Sequence, residues 1–163
     1  MASLVEELVN VLEAEKQIYT TLVGYEERKK DVLIAADVAT LEEITTKEQL
    51  AGDDLIAYSN KQIQILKDIA TVLGRTDGKM TVTRLIALLD TQPKVQEQLT
   101  EARDSLLTAA NQMKTLSDQN AILIRQAIEL NEFDMTLFKS LRQAPETANY
   151  DKSAYNTGSL LGG

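Results

Sequence analysis

The sequence predicts an all-α protein: an elongated antiparallel bundle of three long helices plus one short helix, with a flexible C-terminal tail. Three observations predict it. Apolar residues recur at alternating steps of four and three, the repeat that keeps one seam of a helix turned toward neighbouring helices. Aromatic residues make up only 4% of the 163 residues, too few for a chain built of sheet. Both prolines and five of the seven glycines fall at predicted joints or in the tail, so the helical stretches run almost unbroken.

The first helix opens with Ser3 as the expected N-cap and Glu6 as its capping-box partner. Its seam is Leu4, Leu8, Val11, Glu15, Ile18, Leu22, Tyr25, Lys29 and Val32, and it ends near Ala35. Asp37 can cap a second helix after a short break, or one helix simply kinks there; the next seam is Leu41, Ile44, Glu48, Ala51, Leu55, Tyr58, Gln62, Ile65, Ile69 and Val72. Ile56, Ile63, Leu66 and Leu73 widen this stripe, as expected for a helix flanked by two neighbours. Gly52 weakens the helix by about 1 kcal/mol relative to Ala.

Gly74-Arg75-Thr76-Asp77-Gly78-Lys79 is a cluster of helix breakers, with Gly74 placed as a C-cap. Thr81 then caps a short helix with Val82, Leu85, Ile86, Leu88 and Leu89 on its apolar face. After a second joint, Pro93 suits the first turn of the longest helix. That helix is predicted over 93–142, a span of roughly 75 Å at 1.5 Å per residue. Its seam runs Val95, Leu99, Ala102, Leu106, Ala109, Met113, Leu116, Asn120, Leu123, Ala127, Leu130, Asp134, Leu137 and Leu141. The third helix exceeds the first two in length, so its last part, roughly 121–141, is expected to have an incomplete set of partners. Ala144-Pro145 stops it. The polar remainder has too little apolar surface to offset the entropy of ordering it. The expected organisation is a bundle domain at 1–143 and a flexible polar tail at 144–163.

Composition excludes several functions. There is no histidine and no cysteine, which removes disulfides, thiolate zinc sites, cysteine nucleophiles and histidine acid–base catalysis. Neither a metal nor another cofactor is expected, no catalytic residues gather, and the protein is not expected to be an enzyme. A formal charge of -8 argues against nucleic acid, which calls for a concentrated basic surface. No run of apolar residues is long enough to span a membrane, and the acidic N-terminus is no signal peptide, so a cytoplasmic protein is expected. Gly74, Gly78 and Lys79 only loosely match a phosphate loop: the spacing is short, and Met80 stands where a Ser or Thr would bind magnesium. A plain turn is the better reading. Gly162-Gly163 would suit a ubiquitin-like modifier, but those need a β-rich domain.

Glu15, Lys29, Glu48, Gln62, Asn120 and Asp134 are polar residues at seam positions. A di-iron bundle would need Glu-x-x-His motifs, so their expected role is to fix helix register, or else they lie at bundle ends and stay wet. The apolar face of the last helix is the candidate site. Leu123, Ile124, Ala127, Ile128, Leu130, Phe133, Leu137, Phe138 and Leu141 are more apolar residues than one neighbouring helix would cover, and they include both phenylalanines of the chain. Two readings stand beside each other: a wider core or homodimer interface, and a groove for an amphipathic helix of another protein. Tyr150 and Tyr155 lie in the tail, as incidental aromatics or as anchors of a linear motif.

Taken in order, these segments resemble the FlgN-type chaperones of flagellar type III export. The first helix carries Leu4, Leu8, Leu12 and Glu15, then Tyr19 and Leu22. The run Leu33-Ile34-Ala35-Ala36-Asp37-Val38-Ala39-Thr40-Leu41-Glu42-Glu43-Ile44, followed by Lys47-Glu48, resembles the most recognisable segment of that family. Gln119-Asn120-Ala121-Ile122-Leu123-Ile124 is similar to its late helix, and Tyr150-Asp151-Lys152 with Gly158 to its tail. The resemblance implies a cytoplasmic, non-catalytic chaperone of hook-associated proteins, those of the hook–filament junction. Such a chaperone holds its client's helix-prone terminus, blocks premature assembly, and docks on the cytoplasmic domain of the export gate. The client contact it implies falls on Leu123, Ile124, Ala127, Leu130, Phe133, Leu137, Phe138 and Leu141, and the gate contact on Tyr150. A homo-oligomeric coiled-coil scaffold is the competing reading.

Overall fold

The computed structural model describes residues 1–143, with side chains through residue 141. Four helices follow one another: α1 (Ala2–Ile34), α2 (Val38–Leu73), α3 (Val82–Leu88) and α4 (Pro93–Gln143), with no strand among the described residues. The chain divides into two compact units, Met1–Gln119 and Asn120–Gly163, so the division falls within α4. The expected tail, with Pro145, Tyr150 and Tyr155, lies outside the described residues.

In the first unit, α1 starts earlier than its capping pattern predicts. Met1 is the N-cap position and no side chain caps the helix, so Ser3 is not the cap. The Val5 amide donates to the Met1 carbonyl at 3.0 Å, and Met1 and Leu4 pack against the core. Apolar contact at Met1 thus carries the helix two residues past the polar signal. At the far end, Ala36 takes a left-handed φ of 55° and turns the chain. Asp37 then caps α2 as expected, accepting from the Thr40 amide at 3.2 Å and from its hydroxyl at 2.6 Å. The two Thr40 bonds hold the Asp37 carboxyl below its ordinary value.

That three-residue joint makes α1 and α2 an antiparallel pair, and polar seam residues record the register. Lys29 meets Glu48, and two heptads back along α1, Glu15 meets Gln62, two heptads on along α2. Between and beyond them the seam is apolar. Val5, Leu8, Val9 and Leu12 of α1 share one core with Ile65, Leu66, Ile69 and Ala70 of α2.

Gly74 closes α2 at φ 65°, where a Cβ would be strained, and the Arg75 amide donates back to the Ala70 carbonyl at 2.9 Å. Met80 ties the following loop into the core. Thr81 caps α3 by accepting from the Arg84 amide at 3.1 Å, so Val82, Leu85 and Leu89 turn inward. The Gln96 side chain donates to the Ile86 carbonyl at 2.8 Å and fixes the start of α4 beside α3. Leu99 and Ala102 of α4 complete the same core. Leu8, Leu12, Ile69, Leu85 and Leu99 are fully buried, each worth roughly 1.5–3 kcal/mol of transfer free energy.

The widened stripe of α2 is only partly covered. Leu66 is buried, but Ile56 and Ile63 are 62% and 43% exposed, so the second neighbour expected along that side is missing there. In the second unit the described part is helix, from Asn120 to the end of α4. No helix among the described residues is long and apolar enough to cross a membrane.

Candidate functional site

Residues 120–143 hold neither glycine nor proline and are rich in Leu, Ile, Ala, Glu and Gln, which suits an uninterrupted helix. At 3.6 residues per turn, Leu123, Ala127, Leu130, Leu137 and Leu141 fall on one face. Arg125, Glu129, Glu132 and Lys139 fall on the opposite one. Such a division normally marks a helix with its apolar side covered.

Here most of that side is bare. Leu130, Phe138 and Leu141 are 61%, 63% and 64% exposed, and Phe133 is 46% exposed. Ala127 is also exposed, while Leu123, Ile124 and Leu137 are half-buried. The predicted face is therefore one surface of one helix, and the structure brings all eight of its residues together on it. Tyr150 lies outside the described residues. Ile122 and Met135, both more than half exposed, widen the surface on its two shoulders. They stand off the four–three seam, so the repeat does not reveal them; counting apolar residues beside the seam would have.

The polar seam residues behave differently along the chain. Glu15 is buried, and with the Gln62 amide nitrogen turned toward it, Gln62 donates to its two oxygens at 2.6 and 3.2 Å. Burial pushes the Glu15 carboxyl up to about 7. Lys29 donates to Glu48 at 2.8 Å and lies 3.5 Å from a Glu26 oxygen, so one ammonium serves two carboxylates. Burial raises the Glu48 carboxyl, against the lowering pull of Lys29. Asn120 is buried too, whereas Asp134 is exposed in the middle of the bare apolar face. Register is held by polar contacts inside the first unit, and Asp134 is left facing outward.

The family model described as FlgN protein matches residues 1–158. The chain belongs to the FlgN family. That family is one of flagellar export chaperones. A segment is also 32% identical over 98 residues to the alanine–tRNA ligase of Pseudoalteromonas translucida (strain TAC 125). That segment is 60% of this chain and 9% of the ligase, so the chain spans about a tenth of that relative's length. No solved structure matches the FlgN-family chain.

Proposed function

We propose that this FlgN-family chaperone is cytoplasmic and non-catalytic, and that it holds a hook-associated protein through the apolar face of α4. Leu123, Ile124, Ala127, Leu130, Phe133, Leu137, Phe138 and Leu141 form the client contact, prevent premature assembly, and release the client at the export gate. Tyr150, in a polar tail at 144–163 beyond the 1–143 helical domain, serves gate docking.

The observation that carries the reading is the exposure of Leu130, Phe133, Phe138 and Leu141 on one helix face. A client helix with anchors at i, i+3, i+4 and i+7 would cover them. Each large side chain buried contributes roughly 1.5–3 kcal/mol, part of which is lost in ordering the client. The complex is then tight enough to hold and loose enough to release. Asp134 sets the client's register, since an apolar residue opposite it would strand a carboxylate.

The test is a titration of the full chain with the C-terminal helical segment of a hook-associated protein, beside light scattering on the free chaperone. A one-to-one complex that Leu130→Glu or Phe138→Ala weakens, with helicity unchanged, supports the reading. A tight symmetric dimer that Leu130→Glu dissociates, with no client binding, would assign the face to self-assembly instead.

A further inference from the structure

A second uncovered surface lies wholly within the first unit. Two hollows of about 390 and 320 Å³ share Ile63, Leu66, Lys79 and Met80 in their walls, so they form one groove. The first extends along α2 to Lys67 and Ala70, and the second reaches Leu106, Leu107 and Arg103 of α4. Its floor is apolar, and the partly exposed Ile63 and Leu107 stand at its sides. This is where α2 lacks its expected second neighbour.

The rim is cationic in an anionic protein. Between residues 61 and 84 the chain carries Lys61, Lys67, Arg75, Lys79 and Arg84 against Asp68 and Asp77, in a chain of formal charge -8. Arg84 pairs with Asp77 and Arg103 with Asp104. Lys67 and Lys79 are exposed and pair with no carboxylate among the described residues. A cation left without a partner beside an apolar groove favours a ligand that brings its own carboxylates. No sheet edge is present among the described residues for an extended segment to join, whereas a groove along two helices fits a third.

We propose that the groove between α2 and α4 of the first unit docks an acidic amphipathic helix of another protein, with apolar anchors over Ile63 and Met80 and carboxylates against Lys67 and Lys79. This surface is separate in sequence from the client face and does not depend on it.

The probe is a fluorescent amphipathic peptide of about 18 residues, with Leu at i, i+3, i+4 and i+7 and Glu on its flanks. A sibling carries Lys in place of every Glu. Against the full chain, the acidic peptide should bind at least about tenfold more tightly than its sibling, a difference of ~1.4 kcal/mol. Lys67→Glu combined with Lys79→Glu, both at exposed positions, should invert that preference. Measured in a Leu130→Glu background, so that the α4 face takes no part, Ile63→Asp should remove binding of both peptides. Equal affinity for the two peptides would overturn the proposal. So would loss of binding in Leu130→Glu with none in Ile63→Asp, or a dimer of the free chain that the Lys67→Glu, Lys79→Glu pair dissociates.

Discussion

The two halves of α4 carry one repeat and meet opposite fates. In the first half, Leu99, Ala102 and Ala109 are buried, and Leu99 is fully enclosed by α1, α2 and α3 residues of one core. In the second half, Leu130, Phe133, Phe138 and Leu141 are bare. Neither helix propensity nor periodicity distinguishes the halves. The repeat records the direction from which cover comes. Whether the same chain supplies it is a separate matter, and among the described residues nothing covers most of the second half.

The sharpest way to break the comparison is to truncate the same residue type in both halves. Leu99→Ala should cost about 3 kcal/mol of unfolding free energy in urea, because it opens a cavity among residues that cannot fully close it. Leu130→Ala should stay within about 0.5 kcal/mol while weakening the client complex. Equal losses of stability would mean that the second half is covered in the free protein.

A charge inside the covered region should show its own cost. Below pH 4.5, the ordinary value, Glu15 is protonated in folded and unfolded chains alike and contributes nothing. As pH rises from there to about 7, the unfolded chain gives up its proton first. The folded state therefore loses stability across that window, by on the order of 2 kcal/mol, and no further above it. Glu15→Gln should remove the loss, so the variant is more stable than its parent at pH 8 and indistinguishable at pH 4 by urea unfolding.

In the uncovered half, Asp134→Leu should make the bare face continuous. It should tighten binding of hook-associated and unrelated amphipathic peptides alike by about tenfold, ~1.4 kcal/mol, in anisotropy titrations. Retained discrimination would show that Asp134 does not set register. The smallest effect falls on neither half. A Cβ on Gly52 would touch nothing, so Gly52→Ala should raise stability by about 0.5–1 kcal/mol without altering binding.

What the sequence makes readable here is local. Asp37, Gly74, Thr81 and Pro93 mark helix ends because each acts within its own turn. Ser3 misleads because the burial of Met1 is a tertiary effect that outweighs a capping preference. Ile56 and Ile63 mislead in the opposite sense, since an apolar side to a helix shows the need for a neighbour and not its presence. The pairing of Glu15 with Gln62 and of Lys29 with Glu48 needs the antiparallel register before it can be read. Exposure of the α4 face follows from the described residues providing three long helices and no fourth to lie against its end.

The order of the elements also has a consequence in time. Synthesis runs from the N-terminal side, so the α1–α2 hairpin, joined by three residues, can pair before the later helices are made. The core closes only once Leu99 and Ala102 have left the ribosome to meet Val5 and Leu8. The sticky stretch from Ile122 to Leu141 is translated after them. The nascent first unit thus buries its own interior before the bare stretch of α4 emerges, which keeps that stretch from competing with the core during folding.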